Sequence, residues 1–486
     1  MENPGQVNER ISNNVSIPLS IILSGLCWYF SCGLHGNFWY LAWLAPVPIL
    51  LISLEVSEGK IFCFSFMAYL IGRLSWFGYL VTVATLIPAI LFTIALPLVF
   101  ALIMIMTKKA IININSWYTV FVFPVFFTAF ELLLIKFSPD GTAASIAYSQ
   151  SDFLPLVQIA SITGILGVTF MITLVPSALA IGWHFRKEKI KFILVCTVTL
   201  TFLLSSFIFG MARLMDGSER KTIIAGLIVL DEKSHKMENL DFQYELQHTI
   251  NYAKKISEVA IQGAKLIVLP ERAINIHKET DSAAVAILGD VAKQHQVTIV
   301  VGYTNYKSGI LRNSAMVIDE EGNVSIDYNK SHLVKGLEDQ FSPGGEIGLF
   351  EFENENTGIA ICKDLDFPQY IRQYGKSQVN ILCVPAWDFV VDDWLHSRMA
   401  IMRGVESGFS EIRSARLGRL TISDSYGRVN AEANCASGKS TIVIGSVSVN
   451  DIETPYSMYG DWFGVVTAIS ALLFIILIAI KMSKLV

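Results

Sequence analysis

The chain has 486 residues, of which 52% are hydrophobic and only 16% are charged, and its mean hydropathy is +0.49. A composition this apolar excludes an ordinary soluble protein and is typical of a membrane protein. The formal net charge of −5 provides no basic excess for phosphate backbones, so we expect no nucleic-acid partner.

Eight apolar runs are long enough to cross a bilayer, which takes roughly 17 to 25 helical residues. They follow a polar tail at residues 1–16, which is expected to be disordered. The first seven runs make a membrane domain of residues 17–212, and the last belongs to a C-terminal segment, 462–486, with a short cytoplasmic tail. The runs are placed at 17–35, 37–54, 61–82, 87–106, 117–136, 162–184, 191–212 and 463–480.

Basic residues near the ends of these runs predict how the chain is oriented. They occur in the loops at 108–109 and 186–191 and after the last run, at 481–484. Lys and Arg collect in cytoplasmic loops, so these three places are assigned to the cytoplasm. Residues 213–461, and the polar segment 138–161, then lie on the outer side of the membrane.

From Thr222 onward the pattern changes to short apolar runs that alternate with amphipathic stretches. Helices are predicted at Phe242–Ala264, Ala283–His295 and 392–408, with strands before, between and after them. Strands and helices interleaved over roughly 240 residues predict an α/β layered domain.

Three predicted strands of this domain end next to a residue that can do chemistry. The run before Pro270 leads to Glu271, the run that ends at Tyr328 leads to Lys330, and the run at 358–361 leads to Cys362. A lone cysteine is more often a packing residue, but a thiol at a strand end is both rigidly held and accessible. A carboxylate, an ammonium group and a thiol at three strand ends predict covalent catalysis by Cys362.

Cysteine and histidine spacing gives no sign of a disulfide framework, a metal site or another cofactor. The seven cysteines are odd in number and scattered, so Cys362 is expected to be a free thiol. The eight histidines never lie three to five residues apart, and no CxxC occurs. Five aspartates near the expected site are interpreted as solvated loop charges rather than a metal pocket: Asp364, Asp366, Asp388, Asp392 and Asp393.

The segments around the three reactive residues carry a resemblance to a known family. LPE at 269–271, YNKSHLV at 328–334 and ICKDLDFP at 361–368 resemble the signature segments of the nitrilase, or carbon-nitrogen hydrolase, superfamily. The resemblance implies a catalytic set of Glu271, Lys330 and Cys362 and a four-layer αββα sandwich. Residues 213–461 are therefore expected to form a nitrilase-like catalytic domain.

Within that superfamily the chain most resembles the apolipoprotein N-acyltransferases, because its nitrilase-like domain lies between membrane helices. Further matching segments are IAYSQSD at 146–152, AWDF at 386–389, HSRMAIMRGVESG at 396–408, and TPY and GDW within 454–462. The resemblance implies a monomer in the inner membrane of a bacterium, with the catalytic domain on the periplasmic side.

The activity that the resemblance implies is acyl transfer in two steps. Cys362 would attack a phospholipid ester, with Glu271 as general base and Lys330 both stabilising the oxyanion and lowering the thiol pKa. The thioester would then pass its acyl chain to the N-terminal amine of a diacylglyceryl-cysteine lipoprotein.

The same resemblance suggests roles for five further residues. Glu338 matches a position that supports the site, and Asp364 is expected to orient the loop around the nucleophile. Lys363 stands where these acyltransferases usually have an aromatic residue, and Asp364 stands where they have Glu. Lys363, Trp387 and Tyr148 are expected to contact substrate.

Two alternatives use the same domain. One is a membrane-tethered amidase or nitrilase, in which water replaces the amine in the second step. The other is a nitrilase-like module without catalysis. Against the amidase, a hydrolase of small soluble amides does not need eight membrane spans. Against the module without catalysis, packing alone does not require a charged pair beside a thiol. These observations favour acyl transfer, and both alternatives remain open from the sequence.

Overall fold

The chain builds a bundle of apolar helices from its two ends and an α/β domain from the residues between them. The computed structural model describes residues 4–216, 221–235, 242–307, 309–449 and 452–483. The helices before the α/β domain are α1 (Pro4–Ser31), α2 (Val47–Ser53), α3 (Glu58–Ala84), α4 (Leu86–Ile114), α5 (Val122–Phe137), α6 (Leu154–Val157), α7 (Ala160–Thr163), α8 (Ile165–His184) and α9 (Lys189–Leu214).

Six helices of the described residues are long and apolar enough to cross a membrane. They are α3, α4, the segment Trp117–Phe137 that includes α5, α8, α9 and the C-terminal helix Trp462–Ser483. Each coincides with one of the predicted spans. Helix α1 includes residues 17–31 of the first predicted span but ends four residues before that span does, and it begins at Pro4, within the stretch expected to be a disordered tail.

The second predicted span, residues 37–54, is not one continuous helix. A 3₁₀ turn at Trp39–Trp43 is followed by Pro46 and then by α2, which has only seven residues. Proline cannot donate a helical hydrogen bond, and a helix of this length reaches only about 10 Å, too short to cross a bilayer. Because Ile49 and Leu50 are buried, the segment packs into the bundle.

Two groups of basic residues lie together at the end of the bundle remote from the α/β domain. The predicted loop at 108–109 is wrong, because Lys108 and Lys109 are part of α4, where Lys108 Nζ donates a hydrogen bond to the carbonyl oxygen of Ser53 at 2.8 Å. Lys191 Nζ donates to the carbonyl oxygen of Asn115, which ends α4, at 2.9 Å, so the two basic segments are on the same side of the bundle.

At the other end of the bundle the loop after α5 packs against the α/β domain. The backbone N–H of Thr142 donates to the carbonyl oxygen of Asp366 at 2.9 Å. Gly141, with φ 50°, permits this contact, because a Cβ there would lie 2.2 Å from the same oxygen.

The described part of the α/β domain contains two β-sheets that face each other. The seven strands of the first sheet are β1 (Thr222–Val229), β2 (Leu266–Val268), β3 (Ile274–Ile276), β4 (Thr298–Asn305), β5 (Arg312–Ile318), β6 (Val324–Asn329) and β13 (Thr441–Ser448). The six strands of the second are β7 (Gly348–Phe352), β8 (Glu355–Ile359), β9 (Ile381–Trp387), β10 (Ser410–Arg416), β11 (Arg419–Ser423) and β12 (Val429–Asn434).

Helices cover the outer face of each sheet. Successive side chains of a strand point to opposite faces, so Leu227 enters the core between the sheets while Ile228 packs with Tyr252 of the covering helix. The result is a four-layer αββα sandwich, which confirms the fold implied by the resemblance. Helices α10 (Phe242–Ile261) and α11 (Asp281–His295) cover the first sheet, α12 (Pro368–Lys376) and α13 (Asp393–Ser407) cover the second, and α14 (Pro455–Tyr459) leads to α15 (Trp462–Ser483).

Strand direction brings the functional residues to one edge of the sandwich. Strands β1, β2 and β4 are parallel, as are β8, β9 and β10. The backbone N–H of Glu271, after β2, donates to the carbonyl oxygen of Ala386 in β9 at 3.3 Å, which joins the two sheets at their carboxyl ends. Gly302 leaves room for this segment, since a Cβ there would lie 2.2 Å from the Pro270 oxygen.

A buried ion pair lies where α13 meets the helical bundle. Arg403 Nη1 and Glu406 Oε2 are 2.8 Å apart, and both side chains are at most 1% exposed. Glu406 accepts a hydrogen bond from the backbone N–H of Ile165 at 2.7 Å, and Arg403 donates to the hydroxyl of Tyr148 at 3.0 Å. Burial raises the pKa of Glu406 to about 7. The pair therefore ties the two parts of the protein together.

Replacing Glu406 with Ala should sharply lower the unfolding temperature in detergent at about pH 8, where the carboxyl is ionised. Arg403 would then keep a buried charge without its partner, a loss of about 3–5 kcal/mol. Glu258→Ala is the matched control, because it removes an exposed pair with Lys255 that is worth at most about 1 kcal/mol. Equal shifts in the two variants, measured by tryptophan fluorescence on heating, would contradict a role for the pair in joining the domains.

Candidate active site

A cavity of about 750 Å³ lies between the α/β domain and the helical bundle. Glu271, Lys330 and Cys362, which follow three different strands, all line it. Side chains from α3 and α4 and the loop 334–339 complete the wall. The structure thus brings together the three reactive residues that the sequence placed at strand ends.

Cys362 begins a 3₁₀ turn, Cys362–Asp366, shortly after β8. Its φ of 45° is in the left-handed region, which is unfavourable for a residue with a Cβ and costs of order 1–3 kcal/mol. Its Sγ lies 3.6 Å from the carbonyl oxygen of Trp387. Such a strained turn between a strand and a helical segment presents a nucleophile to the cavity.

The Cys362 thiol is protonated at rest. Burial raises its pKa well above the ordinary value, and the carboxylate of Glu271 raises it further, while Lys330 and Arg413 act in the opposite direction. Lys330 lowers the thiol pKa, as expected, but burial and the charge of Glu271 raise it more, so the net shift is upward. Attack by this sulfur requires a base.

Lys330 is held between two carboxylates. Its Nζ is 2.7 Å from Glu271 Oε1 and 2.9 Å from Glu338 Oε2, and its side chain is 1% exposed. Burial by itself lowers the pKa of Lys330, but the charges of Glu271, Cys362 and Glu338 raise it above the ordinary value. For Glu338, burial raises the pKa, but Lys330 lowers it more. Both groups therefore remain ionised.

Asn313, on β5, bridges the two carboxylates, and the sequence analysis did not identify it. Its side-chain Nδ2 donates to Glu271 Oε1 at 2.5 Å and to Glu338 Oε1 at 2.7 Å. Its backbone carbonyl oxygen accepts from the backbone N–H of Lys330 at 2.9 Å. The available signal was weak, because Asn313 is one of three polar residues that begin the strand RNSAMVI.

Asp364 links the turn that carries Cys362 to the segment that carries Lys330. It is fully buried and accepts hydrogen bonds from the backbone N–H groups of Ser331, at 3.1 Å, and His332, at 2.8 Å. A carboxylate in this position holds the ammonium group and the thiol in a constant relative geometry. These contacts fit the orienting role expected for Asp364.

The three residues expected to contact substrate lie in different places. Lys363 lines the cavity, and its Nζ is 2.5 Å from Asp140 of the bundle. Trp387 also lines the cavity. Tyr148 is 1% exposed and donates to Thr142 Oγ1 at 2.6 Å, so the structure places it in the contact between the two domains rather than on the cavity wall.

The interpretation of five aspartates as solvated loop charges is wrong. All five are at most 7% exposed. Asp388 lies 2.5 Å from Arg413 Nη2 and 3.4 Å from His396 Nδ1, and both of these partners line the cavity. Burial lowers the pKa of His396, but Asp392 and Asp388 raise it to about 9. The sequence analysis missed this second charged group beside the thiol because its members come from separate elements.

Alkylation of Cys362 by iodoacetamide should keep accelerating between about pH 8 and pH 10, because only the thiolate reacts and this thiol has a raised pKa. The matched control is an exposed cysteine introduced as Lys254→Cys, whose rate should level off once the pH passes about 9.5. Peptide mass spectrometry gives both rates in one sample. A plateau for Cys362 at or below the pH of the control would contradict the raised pKa.

Two family models match the chain. The Carbon-nitrogen hydrolase model matches residues 234–456, and the model of the Apolipoprotein N-acyltransferase N-terminal domain matches residues 24–178. Together they cover most of the helical bundle and most of the α/β domain.

Some individual relatives match most of the chain and others match less than half of it. The chain is 24% identical over 472 residues to an apolipoprotein N-acyltransferase of Geobacter metallireducens, covering 87% of this chain and 88% of that one. It is 28% identical over 225 residues to a 2-oxoglutaramate amidase of Bacillus subtilis, covering 40% of this chain and 86% of that one. Among solved structures, an amidase from Nesterenkonia sp. AN1 aligns with a TM-score of 0.42 and 18% identity, over 49% of this chain and 94% of that one.

Proposed function

The chain belongs to the apolipoprotein N-acyltransferase family, and on that premise we propose how its cavity carries out acyl transfer. A fatty-acyl chain passes from a phospholipid to Cys362 and then to the N-terminal amine of a diacylglyceryl-cysteine lipoprotein. The observation that carries the proposal is the cavity itself, in which a thiol, a carboxylate and an ammonium group meet an apolar wall of membrane helices.

In the first step the sulfur of Cys362 attacks the ester carbonyl, and Glu271 takes the thiol proton. Both hydrogen bonds that the described residues make to the Glu271 carboxylate go to Oε1, which leaves Oε2 for this proton. The ammonium group of Lys330 stabilises the negative charge on the carbonyl oxygen. The carbon–oxygen bond then breaks, the lysophospholipid leaves with the proton from Glu271, and a thioester remains.

In the second step the amine of the lipoprotein attacks the thioester. Glu271 takes a proton from the amine, the carbon–sulfur bond breaks, and that proton returns to the sulfur of Cys362. The acyl chain ends as an amide on the acceptor. The two substrates therefore react in turn at one sulfur, which is a ping-pong scheme.

The apolar wall of the cavity favours a lipid ester over a small soluble amide. Trp76 and Leu80 of α3 and Phe92 of α4 line it, while Ile87 and Leu91 on α4 are 71% and 64% exposed, on a face suited to lipid. Moving each CH₂ of an acyl chain from hydrocarbon to water costs about 0.8 kcal/mol. A cavity that continues the apolar surface of two membrane helices avoids this cost.

Purified enzyme mixed with phospholipid in detergent should gain the mass of one fatty-acyl chain, and Cys362→Ser should not. Intact-protein mass spectrometry measures the adduct. A diacylated lipopeptide added afterwards should remove the adduct and appear as the N-acylated product. Release of ammonia from small amides with no acyl adduct would instead favour the amidase alternative.

We also propose that the protein is a monomer in the bacterial plasma membrane, with its catalytic domain on the periplasmic side. Glu271, Lys330 and Cys362 of one chain all line the described cavity, so the proposed chemistry needs no residue from a second copy. The basic segments 108–109, in α4, and 186–191 lie near each other and remote from that cavity, and basic residues at helix ends are typical of the cytoplasmic face.

Cysteine labelling tests this orientation. In a background without exposed cysteines, Lys254→Cys should react with an impermeant maleimide in spheroplasts, because position 254 lies on the exposed surface of α10. Lys187→Cys, in the loop between α8 and α9, should react only after the membrane is permeabilised. The reverse pattern would place the catalytic domain in the cytoplasm and contradict the proposed orientation.

A further inference from the structure

Arg272 differs from the other buried or half-buried cations on the cavity wall. Lys330, Lys363, His396 and Arg413 each form an ion pair. Among the residues that the structure describes, no carboxylate forms an ion pair with Arg272, which is half-buried. Its position is next to Glu271, the proposed base. An unpaired guanidinium on the wall of the cavity that holds Cys362 is a candidate binding group for an anion.

The guanidinium of Arg272 is held in place without using its terminal nitrogens. Its Nε donates to Thr304 Oγ1 at 3.2 Å, and its Cζ lies 5.0 Å from the ring centroid of Phe341 and 5.3 Å from that of Trp387. Within the described part of the chain, neither terminal nitrogen donates a hydrogen bond. A pre-positioned guanidinium with free donors matches the oxygens of a phosphate group.

A second, smaller cavity lies beside the first, and Arg272 lines both. Its volume is about 200 Å³, and it shares only Arg272 and Trp387 with the lining of the active-site cavity. Polar side chains, among them Asn275, Thr304 and Arg416, line it, and no residue of the helical bundle does. Cys362 therefore has an apolar wall of membrane helices in its own cavity and, past Arg272, a polar space.

We propose that Arg272 binds the phosphate of the donor phospholipid and that the remainder of the headgroup extends into the second cavity. The inference rests on the proposed function. A glycerophospholipid carries its acyl ester and its phosphate on the same glycerol, so only a few bonds separate the carbonyl from the phosphorus. With the carbonyl at Cys362 and the acyl chain against α3 and α4, the phosphate lies on the polar side, where Arg272 is the unpaired cation. The site thus selects a phospholipid over an uncharged diacylglycerol.

The test compares two donors with identical acyl chains, phosphatidylglycerol and diacylglycerol, in detergent. The rate of acyl-enzyme formation on Cys362 is followed by intact mass for wild type, Arg272→Gln and Arg186→Gln. Arg186→Gln is the matched control, because it removes the same charge from an exposed position between α8 and α9 that lines neither cavity. Wild type and the control should prefer phosphatidylglycerol by about tenfold or more, the effect of one charge-assisted contact.

Arg272→Gln should lose that preference while its rate with diacylglycerol stays within about twofold of wild type. A preference retained in Arg272→Gln, or an equal fall with both donors, would overturn the proposal. Arg272→Lys keeps the charge without the planar group and should give an intermediate preference. It provides the same test if the Gln variant does not fold.

The wild-type rates with the two donors also distinguish failure of this inference from failure of the proposed function. If wild type were acylated by both donors at equal rates, the inference would fail and the proposed function would stand. Acylation by neither donor would reject the proposed function.

Inorganic phosphate is added as a competitor, to distinguish a site for a lipid phosphate from a site for free phosphate. It should slow the reaction with phosphatidylglycerol only in large excess over the lipid. Inhibition at equal concentration would make this a site for free phosphate and overturn the assignment to the headgroup.

Discussion

The buried ammonium group of Lys330 is the constraint on which the active site depends. Removing such a charge from water costs several kcal/mol, and it is tolerated only with close, well-placed counter-charges. Glu271 and Glu338 provide them at 2.7 and 2.9 Å, and the side-chain amide of Asn313 donates hydrogen bonds to both carboxylates. This arrangement fixes Glu271 on the wall of the cavity that also holds Cys362.

The state of the thiol follows from the same cluster. Burial and the charge of Glu271 keep Cys362 protonated, although Lys330 lies close by. In the proposed mechanism this thiol is a poor nucleophile until Glu271 takes its proton, and Lys330 stabilises the oxygen of the ester carbonyl that it attacks. The membrane helices supply the other requirement, because they give the cavity an apolar wall for the acyl chain. The contact between the domains is thus part of the active site.

Much of this arrangement could be predicted from the local pattern of the sequence. Hydrophobic runs predicted the six long membrane helices, and alternating short elements predicted the α/β domain. The positions after three strands predicted that Glu271, Lys330 and Cys362 would converge, because the carboxyl ends of such strands meet at one edge of the sandwich. These features depend on periodicity and strand direction, which neighbouring residues determine.

Only the tertiary structure decided the remaining features, because burial and charge balance sum over residues far apart in the chain. The structure places Asn313 in the site and Tyr148 in the contact between the two domains. It also buries the side chains of the five aspartates. The second apolar run was broken and packed inside the bundle. The direction of the thiol pKa shift could not be predicted from the sequence either. Sequence motifs identify the charged residues around Cys362, but only packing determines how far the thiol is removed from water.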